Sequence, residues 1–318
     1  MGKFHYNEKN GKTTTKLTKE ELVMWFKLSQ IKGFGPQKIR KLMFFFGNLN
    51  AVFGASNMTL LQTRIFNEEA IAEFEKLKSA SEENFLRVIS ECEELDVQMA
   101  TLLDPFYPKN LTAVQSPPLT LFLMGNVELL NKKKIAVVGT RAPSQKAIDY
   151  ARNLSRYAAQ NGYVVVSGGA AGIDTAAHCG AMDADSGKTI AVLGSGFNHP
   201  YPPENAGLFN EIKVRGLSIS EHLPNFRGSK ISYLQRNRIT SGISDALFMV
   251  ASGEKGGSST QVSIAHAQRK PIFCPKLDLS ILPNEGAKEA IKNFNAIQVE
   301  SPEQFLKMLN NQAGALFL

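Results

Sequence analysis

The residues in this chain whose types and spacing could do chemistry are mostly glycines, arginines and small hydroxyls, a set suited to holding anions. The densest group is Ser167-Gly-Gly-Ala-Ala-Gly-Ile-Asp-Thr-Ala-Ala-His178, preceded by the apolar run Tyr163-Val-Val-Val166. A β-branched and aromatic run followed by glycines and an Ala-rich segment predicts strand, tight turn and helix. Gly168, Gly169 and Gly172 lack Cβ atoms, so a phosphate can approach the backbone from Ser167 through Ala170 to Gly172, where the following helix presents its positive end. The same glycines equally suit a tight turn that binds nothing. Asp174 and His178 lie four apart and share a helix face, which predicts a structural hydrogen-bonded pair. No Ser or Cys nucleophile accompanies them, so catalysis is not expected there.

The elements that must position this turn form a regular rhythm from Lys132 onward. Apolar strands are predicted at Ile135–Val138, Tyr163–Val166, Thr189–Leu193, Leu217–Ser220, Ala246–Ala251 and Pro271–Cys274. Helices are predicted between them at Ser144–Gln160, Gly172–Ala184, Lys230–Ser244 and Ser258–Gln268. Continuous apolar strands alternating with helices imply a mostly parallel sheet covered on both faces, an α/β doubly wound, Rossmann-like domain over residues 132–318. Its ligands belong at the carboxyl ends of the strands, where strand order reverses. Three segments reach that edge: Gly139–Ser144, Ser167–Gly172 and Gly253–Thr260. The first lacks G-x-G-x-x-G spacing, and the second strand ends without an acidic residue for a ribose hydroxyl, so a nicotinamide or flavin is excluded and no cofactor is expected. What remains is a row of backbone amides plus Arg141, which suits phosphates.

Ahead of this domain, residues 1–16 are polar and basic and predict a flexible tail. Residues 17–96 predict a small helical domain. Apolar residues at helical spacing from Glu21 to Leu28 lead into Ile31-Lys-Gly-Phe-Gly-Pro-Gln-Lys-Ile-Arg-Lys-Leu42, with Pro36 where a first helical turn tolerates it. This is helix-hairpin-helix (SAM-like) patterning, a module that either holds a phosphate on hairpin amides beside Lys38, Arg40 and Lys41 or is purely structural. Further helices follow over about 67–94. Residues 97–131 read as a connector with short strands at Val97–Leu103 and Leu119–Met124, pinned by prolines between.

Charge sharpens the picture. The 318 residues carry a net charge of +7. Up to Leu130, Lys/Arg and Asp/Glu balance at 15 each, whereas from Asn131 there are 21 against 14. Between His222 and Lys276 the basic residues, Lys230, Arg236 and Arg238 among them, face only Asp245 and Glu254. A basic surface of this kind suits a polyanion. No apolar run approaches the ~20 residues that span a bilayer, and the amino terminus lacks a signal core, so a cytoplasmic protein without membrane contact is expected. Cys92, Cys179 and Cys274 are widely spaced, which predicts free thiols and no metal site.

Six motifs, in order, resemble the DNA-processing protein A (DprA, also called Smf) family: Gly139-Thr-Arg141, Ser167–His178, Thr189-Ile-Ala-Val-Leu-Gly194, Tyr201-Pro-Pro-Glu-Asn205, Ser220-Glu221 and Arg236-Asn-Arg-Ile239. The resemblance implies a protein that binds single-stranded DNA, protects incoming DNA during natural transformation and helps load the recombinase RecA, as a homodimer without catalysis. Carried over residue by residue, it implies DNA contacts from Arg141, Ser167–Ala170, Gly172, Arg236, Asn237 and Arg238, to which the basic stretch adds Lys230; because the loops emerge on one edge of a parallel sheet and the Arg-Asn-Arg helix packs back against it, the three arginines are expected to form one patch. This chain departs from the family in having Tyr233-Leu234 where Phe-Pro is usual and Pro275-Lys276 where Pro-Gly is usual. After Leu282 the sequence predicts a helix, a short strand and a terminal helix, with no winged-helix domain. A nucleotide sensor using the same crevice, or a phosphoribohydrolase, would share such a domain. The hydrolase motif, faintly echoed by Gly256-Gly-Ser-Ser-Thr260, needs a glutamate where this chain has Ser263, and so lacks an acid or base for glycosidic cleavage.

Overall fold

The computed structural model describes residues 17–254 and 256–315; the tail predicted at 1–16 lies outside them. The chain divides into two units, one running to Tyr107 with Ser116–Leu121 added, the other comprising Pro108–Gln115 and everything from Phe122. Residues read as a connector are therefore shared between the two.

The first unit holds α1 (Lys19–Gln30), α2 (Pro36–Phe46), α3 (Leu49–Gly54), α4 (Asn57–Gln62), α5 (Glu68–Lys78), α6 (Glu83–Glu94) and β1 (Val97–Thr101). Side-chain caps start four of these helices: the oxygens of Thr18, Asn48, Ser56 and Asn67 accept the amides of Glu21, Ala51, Thr59 and Ala70. The predicted hairpin is the turn between α1 and α2, with Gly33 at φ 76°. Trp25, Leu28, Phe34, Ile39, Leu42 and Phe74 form the core beneath it. Sequence periodicity missed α3 and α4, because six-residue helices contain too few turns to display a period.

The second unit holds α7 (Lys109–Thr112), β2 (Thr120–Gly125) from Phe122 onward, β3 (Lys134–Val138), α8 (Gln145–Gln160), β4 (Val164–Ser167), α9 (Ile173–Met182), β5 (Thr189–Leu193), α10 (Ala206–Arg215) and β6 (Leu217–Ser220). It continues through α11 (Lys230–Gln235), α12 (Asn237–Ile243), β7 (Ala246–Met249), α13 (Gly257–Ala267), β8 (Ile272–Pro275), α14 (Glu285–Phe294), β9 (Ile297–Val299) and α15 (Pro302–Ala315). From β2 the sheet runs in the order β2-β6-β5-β4-β3-β7-β8-β9. All of these pairings are parallel except β2 with β6, where Phe122 faces Ser220 and Gly125 faces Leu217 in antiparallel register.

Period-2 alternation sends side chains of each strand to two different helical layers. Ile135, Val137, Val165, Phe248 and Phe273 pack against Ala147, Ala151, Leu154 and Phe305 on one face. Ala136, Val138, Leu247 and Met249 pack against Val262, Ala265, Ala287 and Ala290 on the other. The doubly wound Rossmann-like sheet predicted from sequence is thus present. The chain winds outward from β3 to β6 and then resumes on the opposite side of β3 with β7, which puts the topological switch point between β3 and β7. The helices differ in two places: α10, between β5 and β6, is not among those predicted, and the single helix predicted over 230–244 is two helices, α11 and α12, meeting at Arg236. Among the described residues no helix is long and apolar enough to cross a membrane.

Candidate functional site

A pocket of about 590 Å³ opens at the switch point. It is lined by Val138–Arg141 after β3, by Ala170 and Asp174 around the glycine turn, and by Ser252 and Gly253 after β7. Gly256, Gly257, Ser258 and Gln261 from the start of α13, Tyr201, and Lys230, Tyr233, Leu234, Arg236 and Asn237 from α11 and α12 complete it. The three segments predicted to reach one edge of the sheet do converge there.

Arg236 is the central group. It is only 7% exposed, its Nε has no hydrogen-bond partner, and none of the salt bridges among the described residues involves it. Its guanidinium lies directly on Gly168: a Cβ there would sit 1.5 Å from Nη1 and 2.2 Å from Cζ. Burial lowers the pKa of Arg236, Asp174 opposes that shift, and the neighbouring positive charge of Arg141 adds to it. Arg141 and Lys230, both exposed, bring further positive charge to the same pocket. Two guanidiniums repelling one another in a half-enclosed space favour an anion between them.

The glycine turn is built differently from its sequence reading. The amides of Gly168 and Ala170 donate to Asp174 Oδ2 at 3.1 and 3.3 Å, so an internal carboxylate takes the donors that a phosphate was expected to use. The Ser167 hydroxyl is likewise turned inward, donating to the Val137 carbonyl at 2.7 Å. Gly169 and Gly172 act as conformational residues. Their φ values are 72° and 83°, and any Cβ would meet the Phe209 ring or the Thr140 carbonyl at 2.5 Å. Asn205, the last residue of the Tyr-Pro-Pro-Glu-Asn motif, pins the turn from outside, its Nδ2 donating to the Gly169 carbonyl and to Thr175 Oγ1, each at 2.9 Å.

Two further expectations change. Asp174 and His178 are not paired: His178 Nδ1 bonds Thr189 Oγ1 at 2.7 Å, and Nε2 has no partner. Since Thr189 Oγ1 donates its own proton to the Val165 carbonyl, the imidazole proton sits on Nδ1. Arg238 leaves the three-arginine patch. Its guanidinium is forked on Glu221 at 2.8 and 2.6 Å, and it is not among the pocket residues. Residues two apart on a helical path point to opposite sides, so Arg236 and Arg238 cannot both face one anion. Asn237 lines the pocket while its Nδ2 donates to the Gly257 carbonyl at 3.3 Å, tying α12 to the start of α13.

Sequence reasoning missed Tyr201, Ser252, Ser258 and Gln261 as lining residues. For Tyr201 the signal was its membership of a recognised motif, and for Ser258 its place in the Gly253–Thr260 segment. The rings of Tyr201 and Tyr233 stand 5.4 Å apart at 47°. Tyr233 keeps its aromatic ring over Gly194, where a Cβ would meet Cδ1 at 2.5 Å, despite the Tyr-Leu departure from Phe-Pro. Ser263 is exposed, bonds the Thr260 carbonyl at 2.8 Å and does not line the pocket. Among the described residues no group of three or more His, Cys, Asp or Glu side chains is arranged to hold a metal.

His178 gives the protein an acid-sensitive core. Burial, with Arg236 adding repulsion, lowers its pKa from 6.5 to about 3. Between these values the unfolded chain binds a proton that the folded chain refuses, so stability is full above pH 6.5 and falls as pH drops toward 3 by up to about 1.4 kcal/mol per unit. Asp174, whose pKa burial raises, opposes this between 3.8 and its higher folded value, because there the folded state takes the proton first. Denaturant titrations from pH 7 to 4 should therefore show a shallower acid slope for His178→Asn than for the unsubstituted chain.

The family model for DNA recombination-mediator protein A matches residues 98–310. The chain belongs to the DNA recombination-mediator protein A (DprA) family. Protein Smf of a Synechocystis strain is 30% identical over 297 residues, covering 92% of this chain and 74% of the relative. The DNA processing protein DprA of Bacillus subtilis is 35% identical over 188 residues, covering 59% of this chain and 63% of the relative. Among solved structures, DprA of Streptococcus pneumoniae superimposes with a TM-score of 0.76 at 27% identity, covering 92% of this chain and 98% of that one. DprA of Helicobacter pylori, described for its single-stranded DNA binding mode, superimposes at 0.61 with 30% identity over 68% of this chain and 97% of that one. The DprA-family motifs quoted from sequence fall in the matched region, and Gly139-Thr-Arg141, the glycine turn, Tyr201 and Arg236-Asn237 meet at its pocket.

Proposed function

We propose that this DprA-family chain binds single-stranded DNA in the switch-point pocket, with Arg236 and Arg141 holding a backbone phosphate, Lys230 and Asn237 flanking it, and the rim of Tyr201 and Tyr233 receiving a base. The observation that carries this reading is Arg236, a buried guanidinium that forms no ion pair among the described residues, although the Asp174 charge is near, and that lines a pocket which a second arginine shares. A volume of about 590 Å³ admits a splayed nucleotide and excludes a base-paired helix. Phosphate clamping with aromatic stacking is tolerant of sequence, as a protein handling arbitrary incoming strands requires. Ser167, Gly168, Gly169, Ala170 and Gly172 contribute by shaping the floor on which Arg236 rests.

The role is binding without catalysis. Asp174, the only carboxylate among the pocket's lining residues, is held by two amides, and His178 stays neutral at physiological pH. Protection of incoming strands, delivery to RecA and homodimer formation follow from family membership and are part of the proposal, as is a cytoplasmic location.

Titration of labelled single and double strands at matched salt should show tighter binding to the single strand with little sequence preference. Equal or tighter binding to duplex removes the reading. A nucleoside monophosphate added as competitor should bind far more weakly than an oligonucleotide and be recovered intact by chromatography; release of base or ribose phosphate would establish a hydrolase.

A further inference from the structure

A strand seated in the pocket has to leave it, and on one side the carboxyl edge of the sheet continues as the loop between β6 and α11, residues 221–229. Loop and pocket meet at Tyr233, which lines the pocket: a Cβ on Gly228 would lie 2.7 Å from the Tyr233 hydroxyl oxygen. Consecutive Cα atoms are about 3.8 Å apart, so Arg227 and Phe226 are within about 8 Å of that contact.

The loop holds an aromatic ring in a fixed setting. Phe226 is 37% exposed, and its ring stacks on that of His222 with centroids 4.2 Å apart at 24°. The Phe226 amide donates to the Leu223 carbonyl at 3.0 Å, its carbonyl accepts the Gly196 amide at 2.8 Å, and the Asn198 amide donates to the Pro224 carbonyl at 3.0 Å. A ring tied down in this way loses little freedom when a base is laid on it. Beside it Arg227 is exposed, and its side chain takes part in no salt bridge or hydrogen bond among the described residues. From His222 to Ser244 the chain has four Lys/Arg and no Asp or Glu. Glu221, the one acid of the loop, has both carboxylate oxygens on Arg238. No carboxylate of the loop's own is left to neutralise Arg227.

An apolar partner would leave this cation uncompensated, and a base-paired helix presents no base face to Phe226. A single strand offers a phosphate and a base face at every step, and one already held at Tyr233 reaches the loop without a gap. We propose that single-stranded DNA leaving the pocket runs along the loop 221–229, with Arg227 neutralising a phosphate and a base resting on the Phe226 ring backed by His222. This contact rests on the pocket reading and deepens it, giving the side on which a longer strand continues and a reason for affinity to grow with strand length.

The test compares, on the full chain, labelled oligothymidines of about 4 and about 30 nucleotides, at the lower limit of and well above the ~4–16 that one binding fold covers. Arg227→Ala should weaken binding of the long strand by about fivefold and lower its salt slope by roughly 0.7. Thermal unfolding should not change, because this side chain is exposed and unpaired. Phe226→Ala should cost the long strand about fivefold or more, and Phe226→Trp, which keeps an aromatic face, should retain the binding. Neither alanine variant should alter affinity for the short strand, whereas Arg236→Ala weakens both lengths. If both loop variants hold the long strand at full affinity while Arg236→Ala loses both lengths, the strand leaves by another side and only the pocket reading survives. Weakened binding of the short strand by Arg227→Ala, or an equal loss of duplex binding, also overturns the exit path. If Arg236→Ala changes neither length and Arg227→Ala still weakens the long one, the loop stands as a strand contact and the pocket reading alone falls.

Discussion

Replacing Arg236 with Ala is expected to reduce single-strand affinity by about 100-fold, the scale of removing a charge-assisted clamp from a desolvated pocket. The salt dependence should fall with it, by roughly 0.7 in slope for the one phosphate no longer neutralised. Asp174 retains its bonds from the amides of Gly168 and Ala170 without Arg236, so the turn keeps its conformation and circular dichroism should be unchanged. Arg238→Ala supplies the contrast. Its guanidinium is already forked on Glu221, a pair with 20% and 15% of the side-chain surfaces exposed, so its removal strips Glu221 of its partner and lowers stability while leaving the salt slope alone. Equal losses of binding in the two variants would mean that the DNA follows α12 and bypasses the pocket.

The second large effect is expected from one methyl group. In Gly168→Ala the new Cβ would coincide with the Arg236 guanidinium, 1.5 Å from Nη1 and 2.2 Å from both Cζ and Nη2. Gly168 is not among the residues at positive φ, so alanine fits its backbone and the conflict falls on the far end of a flexible side chain. The fold should therefore survive while Arg236 is pushed off its floor, with a loss of affinity of at least tenfold. The double variant Gly168→Ala, Arg236→Ala decides the cause. If the glycine acts through the arginine, the second substitution adds nothing to the first, whereas additive losses would show that Gly168 touches the ligand itself. Gly172→Ala differs in kind, because φ 83° and a carbonyl at 2.5 Å put the strain on the backbone and the cost on stability.

Much of this architecture is determined locally. The alternation that sends Ile135 and Val137 to one layer and Ala136 and Val138 to the other is written into consecutive residues, and so is the strand-turn-helix around Ser167. A parallel sheet then forces the loops after β3, β4 and β7 onto one edge, which is why Arg141, the glycine turn and Gly253–Thr260 could be gathered from sequence alone. Charge, too, pointed to this half of the molecule.

Side-chain partnership is decided only by tertiary structure. Nothing local indicates that Asp174 turns back to take the Gly168 and Ala170 amides, because a glycine turn with open donors and one with an internal carboxylate have the same sequence signature. His178 bonds Thr189 and not Asp174 because Thr189, on β5, offers a hydroxyl within the core. Arg236 and Arg238 were indistinguishable as a motif. Their fates separate because the helical path turns them to opposite sides, one to Glu221 and one to Gly168, and which acceptor waits on each side depends on elements far away in the chain.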